Sequence, residues 1–313
     1  IGGGATVALS NSTPALASLS IEGATLQLHN WTTLTATNTR VILGGSLTLP
    51  GGFTTAGPSN RIHVVCSNFT VEAGSTVNAD AAGYLGAQGP GAGATGDRKR
   101  GGGHGGRGGI GMNGDLTGHT YGNVPLPQAP GSGGGNATLG GAGGGVVHIE
   151  ATGTALIDGT VTANGQVNLG RMGGGGSGGS VLIECGTLSG SGLVAARGGS
   201  GSDLTGAGGG GRIAMHYDSC GGVWPGIRFD TAPGASGYVT TVKRFTGQPG
   251  TLWLSDAAIL ASGLTPGRLT DVVVHFGSGA SWSVASLNVS SNQFRIGTAG
   301  FAVEATGDIV IDR

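Results

Sequence analysis

The sequence predicts an all-β protein, a parallel β-solenoid (β-helix) with glycine-rich, extended insertions of polyproline II type. Three observations predict it. A glycine run, a short alternating strand, a turn and a second short strand recur three times from Gly140 onward, the third copy's first strand ending near Tyr217. Short runs that alternate apolar and polar residues, each closed by Gly, Asn or Pro, fill most of the remaining chain, which is the patterning of strands and turns. No long stretch carries the 3.6-residue apolar period of an amphipathic helix. Units of this length cannot bury a core alone, so they must stack. An antiparallel sandwich, or a pair of them, is the alternative that the same short strands allow.

Residues 1–60 form an N-terminal strand region, with ATVALS, ASLSIEG, ATLQLHNW, TRVILGG and SLTLPGG as its strands. Residues 61–235 form the glycine-rich repeat region. Val147, Val181 and Ile213 start its three copies at steps of 34 and 32 residues. The second strands are expected to align through Val161, Leu193 and Ile227. A fourth copy lies upstream, with Ile62 and Val64 in the places of Val147 and Ile149, and Val77 and Ala79 in those of Val161 and Ala163. The step from Ile62 to Val147 is about 50 residues longer than a repeat step, and the excess falls in the glycine-rich block near 83–145. In that block His104, Arg107, Ile110 and Asn113 recur every third residue among glycines, the polyproline II period. Glycine on two of three faces would let backbones pack together; the other reading is a flexible linker. The prolines of residues 119–131 predict an ordered crossover or lid. Residues 236–313 return to plain strands, and the whole reads as one elongated unit.

Glycine is 71 of 313 residues and charged residues are only 10%, a composition unlike that of an ordinary enzyme domain or a charged disordered chain. A net charge of −1 gives no pull toward nucleic acid, and no apolar run approaches a membrane span. The chain opens on Ile1 without a visible signal peptide, so removal of a leader or upstream domain is expected. Of the three cysteines, Cys66 and Cys185 share one inward repeat position, where the other copies have Ala151 and Tyr217. Both read as small buried residues, whereas Cys220 reads as a turn thiol, the more reactive of the three.

Residues between the inward ones should point outward and stack into columns from copy to copy. One such column holds Glu150, Glu184 and His216; its neighbour holds His63, His148 and Leu182. His148, Glu150, Glu184 and His216 are therefore the candidate binding residues, for acid–base work or a cation. The plainer reading is a polar ladder in which His216 offsets the repulsion between the glutamates. No catalytic set is apparent. Gly103-His104-Gly105 matches the GHG of β-helical polygalacturonases, but the paired aspartates and the Arg-Ile-Lys that those enzymes need are missing. Residues 108–113 half-match a calcium nonapeptide, once only and with Asn113 in place of aspartate. No cofactor is implied, although scattered oxygen ligands would allow a structural Ca²⁺. Asp97-Arg98-Lys99-Arg100 is the one charge cluster, and Asn11, Asn30, Asn68, Asn136 and Asn288 stand in glycosylation sequons.

The segments GGAGGGVVHIEATGTALIDGTVTANG, PGSGGG, GAGGGGRIAMHY and NRIHVVCSNFTVEAGSTVNADAAGYLG resemble large glycine-rich secreted bacterial surface proteins. The resemblance covers roughly residues 55–250. It implies an exported or surface-attached protein, often one with a C-terminal sorting signal, and brings no catalytic residues. This chain ends at Arg313 without such a tail, so a fragment, a repeat unit or a processed form is expected. Two functions follow as expectations. The first is a non-enzymatic extracellular structural protein, a filament, matrix or adhesin subunit whose partner is itself. The second is a carbohydrate-binding or carbohydrate-cleaving β-helix. Trp31, Trp224, Trp253 and Trp282 are scattered rather than clustered, which offers a glycan no aromatic platform.

Overall fold

A computed structural model describes the chain except residues 11–14, 30–32, 57–60, 95–99, 112–117, 203, 222–224, 236–244, 262, 290–291 and 311–313. Two long parallel sheets dominate it. The nine-stranded sheet runs through Ala15–Glu22, Thr33–Ile42, Ile62–Val71, Val146–Ile157, Ser180–Ser189, Arg212–Cys220, Gly250–Leu254, Val272–Phe276 and Phe294–Ile296. The eight-stranded sheet runs through Thr6–Ser10, Thr25–His29, Ser46–Thr48, Thr76–Asn78, Thr160–Thr162, Leu193–Ala195, Arg228–Asp230 and Leu269–Thr270. From Thr6 to Phe276, successive strands go to alternate sheets. Every pairing among the described strands is parallel, which excludes the antiparallel sandwich. A single 3₁₀ turn, Ala258–Leu260, is the one helical element described, and no helix is long and apolar enough to cross a membrane.

The register follows the apolar alternation. Ile62, Val147, Val181, Ile213 and Leu252 pair in sequence and are all fully buried. Inward side chains of both sheets belong to one apolar cluster extending from Leu19 to Leu287. In several long strands the inward phase shifts once, through a three-residue step: Cys66 and then Phe69, Cys185 and then Leu188, Tyr217 and then Cys220; the bulged strand Val146–Ile157 takes four residues, from Ala151 to Ala155, and keeps its phase. A strand can keep its core side only by bending where the two-residue period breaks.

The step between paired residues explains the glycine runs. Ile21 pairs with Val41, a step of 20 residues, and Leu252 with Val274, a step of 22. Steps of 34 and 32 separate Val147, Val181 and Ile213, where glycine runs intervene. The runs are therefore excursions that leave the stack and return in register. The expected alignment of the second strands is corrected: Val161 pairs with Val194, which pairs with Phe229, rather than with Leu193 and Ile227. The strand Val146–Ile157 carries an extra bulge residue, and the third copy has a longer connection before Arg228–Asp230. Equal spacing in sequence thus misses the pairing.

The excursions pack against one another backbone to backbone. Gly174 and Ser177 donate their amides to Gly135 and Ser132, Gly175 and Gly178 to Gly206 and Gly209, and Gly176 and Gly179 to Gln166 and Ala163. Every third amide faces the same neighbour, so this segment has a three-residue screw with a partner on each side. Glycine is obligatory there: a methyl on Gly208 would overlap the carbonyl oxygen of Gly176, and one on Gly176 that of Ala142. The block at 101–111 is more folded than its spacing suggests. Gly101 donates to Gly109, His104 is buried and Arg107 is exposed, so the two do not share a face; Asn113 lies outside the described residues.

The insertion covers the outer side of the nine-stranded sheet. Arg212 donates from Nε to the Tyr121 carbonyl (2.9 Å) and from Nη1 to Thr251 Oγ1 (3.1 Å). Ser180 Oγ donates to the Ala129 carbonyl (2.6 Å) and His216 Nε2 to that of Pro125 (2.6 Å). Outward residues Val146, Leu182 and Ala214 are consequently buried. Thr6–Ser10 and Ala15–Glu22 stand first in the two long sheets, and Val7 and Leu16 on them are exposed. Toward the C-terminus two small parallel pairs follow, Ser281–Val284 with Ala302–Ala305 and Leu287–Asn288 with Ile309–Val310, and Val303, Ile309 and Val310 on them are exposed.

Candidate functional site

Parallel register brings identical strand positions side by side, about 4.8 Å apart. Thr33, His63, His148 and Leu182 form one outward row, and Val65, Glu150, Glu184 and His216 the next. Both expected columns are thus present. His63 and His148 stack with ring centroids 4.7 Å apart and planes 7° from parallel. Their Nε2 atoms face the glutamate row. His63 Nε2 lies 2.7 Å from Glu150 Oε1, and His148 Nε2 lies 2.7 Å from Glu184 Oε2 and 3.4 Å from Glu150 Oε1.

Each imidazole therefore meets a carboxylate one column over. His63 is fixed from behind by Thr33 Oγ1, 3.0 Å from Nδ1. Burial, the largest influence on His63, holds its pKa below the ordinary value against the pull of the Glu150 carboxylate; His148 and Arg61 push the same way as burial. The imidazoles are shielded while the carboxylates are reachable: side-chain exposure is 12% and 6% for His63 and His148, and 40% and 38% for Glu150 and Glu184. The glutamates open onto a shallow depression of about 370 Å³, lined also by Thr152, Cys185 and Asp218.

Of the four expected binding residues, the structure gathers His148, Glu150 and Glu184, and adds His63. His216 neighbours Glu184 in register, but its ring stacks on Trp253 (4.1 Å) and its Nε2 is engaged by Pro125. It fastens the insertion, and the two other histidines are the ones that meet the glutamate oxygens. The strand period alone could reveal His63; the contact with Pro125, 91 residues away, leaves no local signal.

His104 is fully buried, with Nδ1 donating to the Gly178 carbonyl (3.0 Å) and the ring against Tyr121 (4.7 Å). Its packing is that of a structural residue. Cys66 is buried, and Cys185 is partly so. Cys220 is not in a turn: it ends the strand Arg212–Cys220, half-buried, and burial pushes its thiol up to about 11. Burial likewise pushes Cys66 up to about 11 and Cys185 up to about 12. Asn68 spends its amide on Asn38 and on the Thr154 amide, and Asn136 caps Thr138 and Leu139. Asn11, Asn30, Trp31, Trp224 and the cluster residues Asp97, Arg98 and Lys99 lie outside the described residues. Comparison with known proteins finds no matching family, no matching curated protein and no matching solved structure.

Proposed function

We propose that the chain is a non-enzymatic extracellular structural protein, a subunit or repeat unit of a cell-surface filament, fibre or adhesive matrix. On this reading the two sheets are the walls of a parallel β-solenoid, and the glycine excursions form a side bundle of polyproline II-like segments. The observation that carries the reading is the uniform polarity of the stack. Every described strand pairing is parallel, so Thr6–Ser10 and Ala15–Glu22 have the polarity needed to follow the last strands of another copy. Exposed Val7 and Leu16 would meet exposed Val303, Ile309 and Val310 of a second copy. Such head-to-tail contact is heterologous and grows without closing. The resemblance to secreted glycine-rich surface proteins supports the location.

The test is electron microscopy and sedimentation of the purified chain at rising concentration. Filaments are expected, and Leu16→Lys or Ile309→Lys should abolish them. Particles that stay monomeric at high concentration would overturn the reading. Glycan binding or cleavage is the second reading, favoured only by the depression at Glu150, Glu184 and Asp218. No aromatic ring lines that depression, and both glutamates are engaged by imidazoles. Glycan turnover or binding that Glu150→Gln and Glu184→Gln abolish would move the assignment there.

A further inference from the structure

We propose that His63, His148 and Glu150, joined by Glu184, bind a divalent transition metal ion of the zinc type. His63 Nε2, His148 Nε2 and a Glu150 carboxylate oxygen all lie within 4.8 Å of one another. In tetrahedral coordination at about 2.0–2.2 Å per bond, ligand atoms stand roughly 3.3 Å apart. Small side-chain rotations would therefore close the set.

Three features distinguish this cluster from a ladder of surface ion pairs. First, the two rings stack in parallel and present the same nitrogen to the same Glu150 oxygen, at 2.7 and 3.4 Å. Two donors converge on one point, which a ladder does not require. Second, the imidazoles are held before any ion arrives. His148 is buried with its ring stacked on that of His63, and Thr33 Oγ1 sits on the far nitrogen of His63. With the metal on Nε2, the ring proton of His63 moves to Nδ1 and is received by that hydroxyl, the outer-shell bond that orients metal-binding histidines. Third, the half-exposed carboxylates open onto an acidic depression with Asp218 on its rim, which gives a cation a way in.

The donor chemistry selects the ion. Two neutral imidazoles and two carboxylates balance a +2 charge and suit zinc and its neighbours, whereas Ca²⁺ and Mg²⁺ want oxygen throughout. Glu184 Oε2, now 2.7 Å from His148 Nε2, becomes the fourth ligand once that nitrogen turns its lone pair to the metal. The consequence is structural. His63 lies on the last long strand before the insertion, His148 and Glu150 on the first one after it, and Glu184 on the next. One ion would clip three consecutive strands and close the chain segment that contains the whole insertion.

The experiment is calorimetric titration of the full chain, stripped with a chelator, with ZnCl2, CaCl2 and MgCl2, alongside thermal melts. One Zn²⁺ per chain is expected, with a Tm that rises with Zn²⁺ concentration and no saturable binding of Ca²⁺ or Mg²⁺. Glu150→Gln and His63→Gln should each weaken Zn²⁺ binding by at least about tenfold. Glu150 is partly exposed, so its variant keeps the test valid even if a histidine variant misfolds. His119→Ala, at an exposed histidine elsewhere, should leave binding unchanged. Absence of saturable Zn²⁺ binding, equal affinity in Glu150→Gln and wild type, or Ca²⁺ binding as tight as Zn²⁺ would overturn the proposal.

Discussion

His104 shows how much a single residue can hold. Its Nε2 is buried without a hydrogen-bond partner among the described residues, and burial, with the Arg212 guanidinium beside it, holds its pKa down to about 3. Tyr121 covers the other face. Unfolded, the same imidazole takes up a proton near pH 6.5. Between those values the unfolded chain binds one proton more than the folded one, so stability is full above pH 6.5 and falls as pH drops toward 3. One proton corresponds to a slope of about 1.4 kcal/mol per pH unit. Urea titrations at pH 7, 5 and 4 should show this loss, and His104→Gln should reduce the slope by one proton. Glycine gives a second prediction at this scale. Gly208→Ala should destabilise by about 3 kcal/mol or more, because the methyl meets backbone that cannot yield. Gly51→Ala, with open space around it, should be neutral or slightly stabilising in the same melts. The pairing of His63 with His148 was legible, because alternation and repeat register fix both. The burial of His104 was not, since its glycine surroundings look alike whether packed or loose.

At the scale of elements, the strands were legible and their pairings only partly so. The first strands followed alternation closely, and Val147, Val181 and Ile213 align as their spacing indicates. The second strands did not, because a bulge and a longer connection change the count without changing the pattern. The glycine excursions were visible as interruptions, yet their partners were not: Gly174–Gly179 meets three separate segments, two of them far along the chain, and identical residues carry no address. Arg212 is the principal tie between insertion and sheet. Arg212→Leu should therefore raise hydrogen–deuterium exchange across 101–109 and 119–131 while leaving the nine-stranded sheet protected. Uniform loss of protection would mean instead that insertion and sheet unfold as one unit.

Across the whole molecule, parallel pairing makes the span of the nine-stranded sheet a simple count of strands. Nine strands at about 4.8 Å each take up roughly 43 Å. Filaments made by end-to-end continuation should show an axial rise of roughly that size per subunit, measurable from the layer lines of their images; a much smaller rise would mean side-by-side contact. The same geometry explains why residues 79–145 can leave and re-enter the stack without disturbing it. Ile62 still meets Val147, and Val77 still meets Val161. The glycine bundle has a further consequence, at the level of the gene. Every single-base substitution in the first two positions of a glycine codon produces a stop or a residue with a Cβ, and the bundle has no room for one at positions such as Gly176 and Gly208. Point substitution is thus closed to this region as a route of change. Gain or loss of whole segments between rungs remains open, because the stack registers only where a segment leaves and where it returns.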